Sequence, residues 1–482
     1  MATRKTSAAG TAKKTSKQKE PSVPTFEADE SSATARFHSA REYQVYFTNG
    51  VFSGENPALA SAIARMKASG ATGRVFAVVD YNVARQTQDL PARAAAALAA
   101  AGAEAVGKPA LAPGGEQCKN DGGRTALALA NTFLNAGAGA GDCILAIGGG
   151  SVLDAAGFAV SMLHGGTHFI RMPTTLLAQC ASGSAFKASV DSQGVKDSLS
   201  LPCVPDASIV DFSFLSSLTP ENLRNGIPEA IKTAAVCDRD FLAWIDANAS
   251  ALLARNAPCI EELVRRTVSL QLKAAAECGD PAAYARSGAA NFGVWTAGRI
   301  EALANWRLWH GYALATGMCI DVAYAVQNRW LAEEDGDAIC TAICKTGGMY
   351  GAERFGSVLD NAEKVAGAID ERIAAAAGCG AFAFPGPAGE AHLEDCVDAG
   401  IYAKIVAEFR RTSREMAEYR RARAAAEGRP AEPPPEEPPS GPEEETPAAE
   451  NEPVRDAEEA ETQTAPSEAP EEYVEPIEAD EL

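Results

Sequence analysis

Apolar and polar positions along this chain change period once. From Glu42 to about Cys203, short apolar runs alternate with segments whose apolar residues recur every three or four positions. "RVFAVVDYNVA" (74–84) predicts a strand ending near Asp80, and the Ala-rich stretch 91–102 predicts a helix. "CILAIGGGSVLDAAGFAVSML" predicts a strand, a glycine turn and a helix. "HFIRMPTTLLAQ" predicts a strand closed by a Pro-Thr-Thr turn, and "ASIVDFSFLSSL" (207–218) a further strand. Such alternation argues for a parallel sheet with helices on both faces. From Pro220 to about Arg423 the period is helical almost throughout, as in "IEELVRRTVSLQLKAAAE" and "GYALATGMCIDVAYAVQNRWL". The expected architecture is an α/β domain with a parallel sheet over 37–205, followed by an all-α domain over 206–425. A cleft between two such domains is a favoured place for a ligand.

The two ends carry a different pattern. The chain has 482 residues and a formal net charge of −21, and much of that charge is terminal. From Glu427 to Leu482 there are twenty acidic residues, two arginines and many prolines. Such a segment has too little to bury, so 426–482 is expected to be a disordered acidic tail. "MATRKTSAAGTAKKTSKQKEPSVP" is nearly acid-free, and 1–36 is expected to be a disordered basic arm. The body between them is mildly acidic and calls for no nucleic acid. No apolar run is long enough to span a bilayer, so no membrane partner is expected. The twelve cysteines are scattered and form no CxxC pair, which fits small buried hydrophobes in a reducing cytoplasm.

Several short stretches bear chemistry. "AIGGGSVLDAAG" (146–157) sets three glycines between a strand and a helix. Glycine lets a ligand approach the backbone, and a helix N-terminus favours anions; the same residues also make a plain tight turn. Asp80, at a strand end, has the place of a ribose ligand or of a helix cap. Lys187, Lys196 and Lys232 gather near the domain junction, where they grip a phosphorylated ligand or stay solvated. Glu229 and Lys232 are three apart on one helical face. His310 lies between Trp309 and Gly311, either a metal ligand or a core histidine.

Taken in order, "VVDYNVA", "PGGEQCKN", "IGGGSVLDAAGF", "FIRMPTTLLAQ", "IVDFSFLSSLTPENLRNGIPEAIK", "NFG…IEAL" and "RLWHGYALATGM" resemble the 3-dehydroquinate synthase family of sugar-phosphate cyclases over about residues 42–330. The resemblance implies a nucleotide-binding α/β domain, a helical metal and substrate domain, and a homodimer. It implies NAD and a divalent metal, zinc or cobalt, as cofactors. The reaction implied is conversion of 3-deoxy-arabino-heptulosonate 7-phosphate, a small phosphorylated sugar acid, to 3-dehydroquinate. That is a carbon–oxygen lyase step of the shikimate pathway of aromatic amino acid biosynthesis. By the same resemblance Asp80, Asn82, Glu116 and Lys119 would hold the adenosine part of NAD. Gly149, Gly150, Ser151 and Asp154 would line the pyrophosphate and nicotinamide, with Thr174, Thr175 and Leu177 completing that site. Lys187, Lys196, Lys232 and Asn291 would face the substrate, and Glu229 and His310 would bind the metal.

The chain departs from the family pattern in its second half. The family motif reads Asn-Leu-Gly-His-Thr-Phe-Gly-His, with the first histidine on the metal and the second against the substrate. Here Val294 and Gly298 stand at those two places. Ala181 replaces an acidic residue, Asp197 an asparagine and Tyr312 a glutamate. Arg286 is one residue out of register with a substrate arginine, Gly165 stands where another arginine is expected, and the family's late lysine motif is not recognisable. If Glu229 and His310 keep a metal, a third ligand must come from elsewhere, with His164, His168, Cys180 and Asp197 in question. Two other readings stand beside the lyase: a non-catalytic or re-purposed NAD or sugar-phosphate-binding paralogue, and a metal-dependent polyol dehydrogenase.

Overall fold

The strand Cys143–Gly148 is buried along its whole length, and its side chains alternate between two apolar layers. Cys143, Leu145 and Ile147 pack with Leu59, Ile63, Leu90 and Leu98 on one face. Ile144 and Ala146 pack with Leu129, Phe133, Val152 and Leu153 on the other. A period of two with both sets apolar is the mark of a central strand covered by helices on both sides.

In this computed structural model the described residues are 25–28, 33–36, 42–54, 56–279, 284, 288–348, 356–376 and 382–426. Thirteen strands occur among them. β1 (Thr25–Ala28) and β2 (Ala33–Arg36) pair antiparallel, within the expected basic arm. β3 (Gln44–Thr48), β4 (Arg74–Asp80), β5 (Glu104–Ala105), β6 (Ala110–Ala112), β7 (Cys143–Gly148), β8 (His168–Pro173) and β11 (Ala207–Asp211) form one sheet. Its order is β3-β11-β8-β7-β4-β5, with β6 also on β4, and every pairing is parallel. The helical part begins after β11, which belongs to this sheet although it lies past residue 205.

Two features depart from the sequence expectation. β9 (Lys187–Ser192) and β10 (Val195–Pro202) form an antiparallel hairpin, turning at Gln193 and Gly194, both with positive φ. The segment carrying Lys187 and Lys196 is thus an antiparallel hairpin outside the parallel sheet. In the helical half, β12 (Phe382–Pro385) pairs with β13 (Ala391–Glu394). Phe382 and Phe384 pack against Trp295, which closes that end of the helical core.

The helical core joins the helices Ile227–Cys237, Ala257–Cys278, Val294–Leu303 and His310–Gln327 through Ile231, Leu263, Ile300 and Leu314. The described residues all fall within one compact unit. The second unit, Pro439–Leu482, and with it nearly all of the expected acidic tail, lies outside the described residues, as does the arm before residue 25. Among the described residues no helix is long and apolar enough to cross a membrane.

Candidate active site

The glycine turn follows β7 and opens the helix Gly150–Met162. Gly149 is its N-cap and makes no side-chain cap bond, so the first helical N–H groups are open to an anion. Asp80 ends β4 on the neighbouring strand, 7% exposed, and accepts the Asn82 N–H at 2.8 Å. Burial pushes its carboxyl up, against the N–H groups of Asn82, Val83 and Gly149 that face it. A Cβ on Gly114 would come within 2.6 Å of Asn82 Nδ2 and 2.7 Å of Asp80 Oδ1. Only glycine lets that loop pass so close over the two side chains. A Cβ on Gly150 would meet Ser182 Oγ at 2.8 Å. Thr175 caps the helix Leu176–Cys180 through Ala178 N–H, and Leu177 on that helix is half-buried. Thr174 Oγ1 is buried without a hydrogen-bond partner, and Glu116 Oε2 has no hydrogen bond, only the Lys196 charge 3.9 Å away. Buried polar atoms of that kind call for a bound group, and close-approach glycines leave room for one. These residues fit a dinucleotide.

Each of the candidate lysines already faces a carboxylate. Lys119 Nζ lies 2.9 Å from Asp154 and 2.5 Å from Asp197 Oδ1. Lys187 Nζ lies 2.8 Å from Asp197 Oδ2. Lys196 Nζ bonds Glu301 Oε2 and lies 3.9 Å from Glu116 Oε2. Lys232 Nζ lies 2.5 Å from Glu229 Oε1. Burial works against the charge on Lys119 and Lys196, yet both are held above the ordinary lysine value by the carboxylates around them. Asp197 goes the other way. Burial would raise it, and Lys119 with Lys187 hold it well below the usual carboxylate range.

Two tight helix starts lie beside the residues expected to bind a metal. A Cβ on Gly226 would meet Leu176 at 2.6 Å, so the helix Ile227–Cys237 sits directly on the Leu176 turn. A Cβ on Gly311 would meet Asn225 O at 1.7 Å, and Gly311 N–H donates to Asn225 Oδ1 at 2.8 Å. His310 therefore starts its helix against the residue four before Glu229. Its Nδ1 is 2.8 Å from Glu301 Oε1.

The donor set does not fit a divalent metal, which takes three protein ligands in sites of this kind. Val294 packs against the apolar core. The place of Gly298 is taken up by the Lys196 stem, whose Cβ would lie 3.4 Å from a Cβ at 298. Among the described residues no three His, Cys, Asp or Glu side chains stand together as a metal site. Three of the four alternative third ligands are engaged or fully buried. Asp197 is held by two lysines, and His168 Nδ1 lies 2.8 Å from Asp206. Cys180 is fully buried, and burial pushes its thiol up. Asn291 ends a short 3-10 turn just ahead of Gly293, which has φ +73.

Glu301 and Asp191 have no assigned role in the sequence reading, though both belong to the site. Glu301 lies in the quoted "IEAL" segment, where it reads as one polar position on an amphipathic helix. It is fully buried because Lys196 and His310 meet it there. Asp191 lies on β9 and accepts the Asp197 N–H at 2.8 Å.

Residues 110–225 match the model described as 3-dehydroquinate synthase N-terminal, and residues 226–362 the model described as 3-dehydroquinate synthase C-terminal. A 3-dehydroquinate synthase of Bartonella tribocorum is 33% identical over 227 residues, 46% of this chain and 59% of that protein. A 2-epi-valiolone synthase of Actinosynnema mirum is 31% identical over 267 residues, 55% of this chain and 68% of that protein. A 3-dehydroquinate synthase of Rhizobium meliloti is 30% identical over 298 residues, 61% and 76% respectively. The matched part thus spans less than two thirds of the Bartonella protein. Among solved structures, a 2-epi-5-epi-valiolone synthase from Streptomyces hygroscopicus with NAD+ and Zn2+ bound shares the fold. Its TM-score is 0.65 at 20% identity, over 79% of this chain and 99% of that one. A 2-deoxy-scyllo-inosose synthase with carbaglucose-6-phosphate, NAD+ and Co2+ does so at a TM-score of 0.60 and 17% identity, over 80% and 99%. With both family models matched end to end across more than half of its length, the chain belongs to the 3-dehydroquinate synthase family.

Proposed function

We propose that this protein binds NAD in the manner of the sugar-phosphate cyclases and that its second half has been re-purposed away from 3-dehydroquinate formation. One observation carries the reading. The lysines that would grip a phosphorylated acid are joined to Asp197, Glu301 and Glu229, which belong to the chain itself. NAD, when bound, supplies a hydride acceptor. The chain's own part is to hold it: Asp80 and Asn82 under the Gly114 loop, the Gly149–Ser151 turn, Thr174 and Thr175. Glu116, Lys119, Asp154 and Leu177 complete the dinucleotide pocket in this reading. A homodimer is the assembly that goes with it, and sedimentation velocity measures that.

A second reading is favoured by the Glu301–His310 pair. A carboxylate on one ring nitrogen is the usual way a ligating histidine is oriented. In that reading the protein is a carbon–oxygen lyase making 3-dehydroquinate, with Lys187, Lys196, Lys232 and Asn291 around the substrate. Phosphate release from 3-deoxy-arabino-heptulosonate 7-phosphate, with NAD and Zn2+ or Co2+ added, decides between them. No release together with normal NAD binding is the expected result. Release that depends on both additions would establish the lyase and sink the re-purposed reading. Net NADH formation with a polyol would instead establish a dehydrogenase.

A further inference from the structure

Asp197 stands in an uncommon backbone conformation. Its φ is +54°, a left-handed value that asparagine, aspartate and glycine tolerate better than other residues. Asp191 fixes it there by accepting its N–H at 2.8 Å. Asp191 in turn donates its own N–H to Lys119 O at 2.8 Å. The β9–β10 hairpin and the Lys119 loop thus form one frame. Within that frame Asp197 spreads its two oxygens over two ammonium groups, 2.5 Å from Lys119 and 2.8 Å from Lys187. Charged donors converging on two oxygens of one group is how proteins hold a carboxylate or a phosphate. Here the anion is a side chain of the protein.

We propose that Asp197 is a specificity-determining residue, a built-in carboxylate that fills the anion position between Lys119 and Lys187 and turns the pocket toward uncharged sugars or polyols and away from phosphorylated ones. The proposal rests on the re-purposed reading above. A phosphate dianion entering there meets a like charge and two lysines already satisfied. A hydroxyl group does not, because it can donate to Asp197 and accept from a lysine.

The test uses the full-length protein and three titrations by calorimetry: inorganic phosphate, myo-inositol and NAD. The variants are Asp197→Asn and Asp197→Gly, both at ease with a positive φ, so one that misfolds leaves the other. Both variants are expected to bind phosphate at least tenfold more tightly than the wild type, and adding Lys187→Ala should remove that gain. Myo-inositol should bind the wild type at least threefold more tightly than Asp197→Gly. Wild-type phosphate affinity equal to that of both variants overturns the proposal, as does a gain that survives loss of Lys187. Equal inositol binding by wild type and Asp197→Gly overturns the ligand class. The NAD titration of the wild type is read separately: failure there sinks the NAD-binding reading and leaves the phosphate comparison intact.

Discussion

His310 Nδ1 lies 2.8 Å from one oxygen of Glu301, and Lys196 Nζ bonds the other. One fully buried carboxylate therefore ties the β9–β10 hairpin and the last turn of the helix Val294–Leu303 to the start of the helix His310–Gln327. Burial would raise the Glu301 carboxyl, but Lys196 and then His310 hold it down at about 2. A carboxyl held below its unfolded value stabilises the fold above that value, and the contribution is lost as pH falls through the folded one. The window here runs from about 4.5 down to about 2. At about 1.4 kcal/mol per pH unit, the contribution is of order 3 kcal/mol. Glu301→Gln is expected to lower stability in urea by about 3 kcal/mol at pH 7, because it leaves Lys196 buried and unpaired. The gap from wild type should narrow below pH 4. Equal stabilities at pH 7 would refute this account of Glu301.

How much of this was legible in the sequence depends on how local each signal is. β7, the glycine turn and the helix after it are contiguous, and their apolar periodicity and glycines announced them. β10 was not legible. "VKDSLSLP" is mostly exposed, and its pairing with β9 shifts register between Val195 and Leu199, so no period-two alternation survives. Glu301 reads as a surface position because its lysine partner comes from 105 residues away in the chain. Asp321 is the opposite case: one acid inside "GMCIDVAYAV" stands out as a polar group in an apolar helix. Resemblance singled out Glu229, His310 and the lysines as candidates. It could not show that carboxylates of the same chain would occupy those lysines.

Asp80 offers a test confined to the dinucleotide half. Its carboxylate lies under Gly114 and beside the Gly149 N–H. A hydrogen bond from a ribose hydroxyl to a charged acceptor contributes about 1.5–3 kcal/mol. Asp80→Ala should therefore weaken NAD binding by roughly 10- to 100-fold. Asp80→Asn keeps an acceptor for the Asn82 N–H and should lose less. Tryptophan fluorescence quenching or calorimetry measures both. Unchanged affinity in Asp80→Ala would move NAD away from this strand end.

Val294 makes the metal question concrete. It opens the helix Val294–Leu303, directly after Gly293. Val294→His supplies the third protein ligand that a catalytic zinc site requires, beside Glu229 and His310. Grown with zinc and dialysed without chelator, wild-type protein should carry far less than one zinc per chain, and Val294→His should approach one. Plasma emission spectrometry reads the ratio. Stoichiometric zinc in the wild type would show that the native donors suffice.

Asp321 lies behind the same turn and couples it to pH. Its Oδ2 accepts the Gly293 N–H at 2.9 Å, and its Oδ1 accepts from Thr296 Oγ1 at 3.0 Å and from the Tyr402 hydroxyl at 2.7 Å. Burial pushes its carboxyl up to about 7, and these donors only partly oppose the shift. The Tyr402 phenol is pushed well above its ordinary value, first by burial and then by Asp321, so it stays neutral here. A carboxyl raised on folding means that the folded state binds more protons than the unfolded state between about 4 and about 7. Stability falls as pH rises through that window, by up to about 4 kcal/mol for one such group. Asp191, raised to about 6 chiefly by burial, adds a drop of the same sign. Asp321→Asn removes only the first contribution, so the difference between wild type and variant isolates it. Urea denaturation at pH 5 and pH 8 should show the wild type losing more stability than Asp321→Asn over that interval. The variant should also sit about 1–3 kcal/mol below the wild type at pH 5, because the amide cannot accept all three bonds. Parallel losses in the two proteins would show that Asp321 does not titrate in this range, and that the turn before Val294 is held by a permanently charged carboxylate.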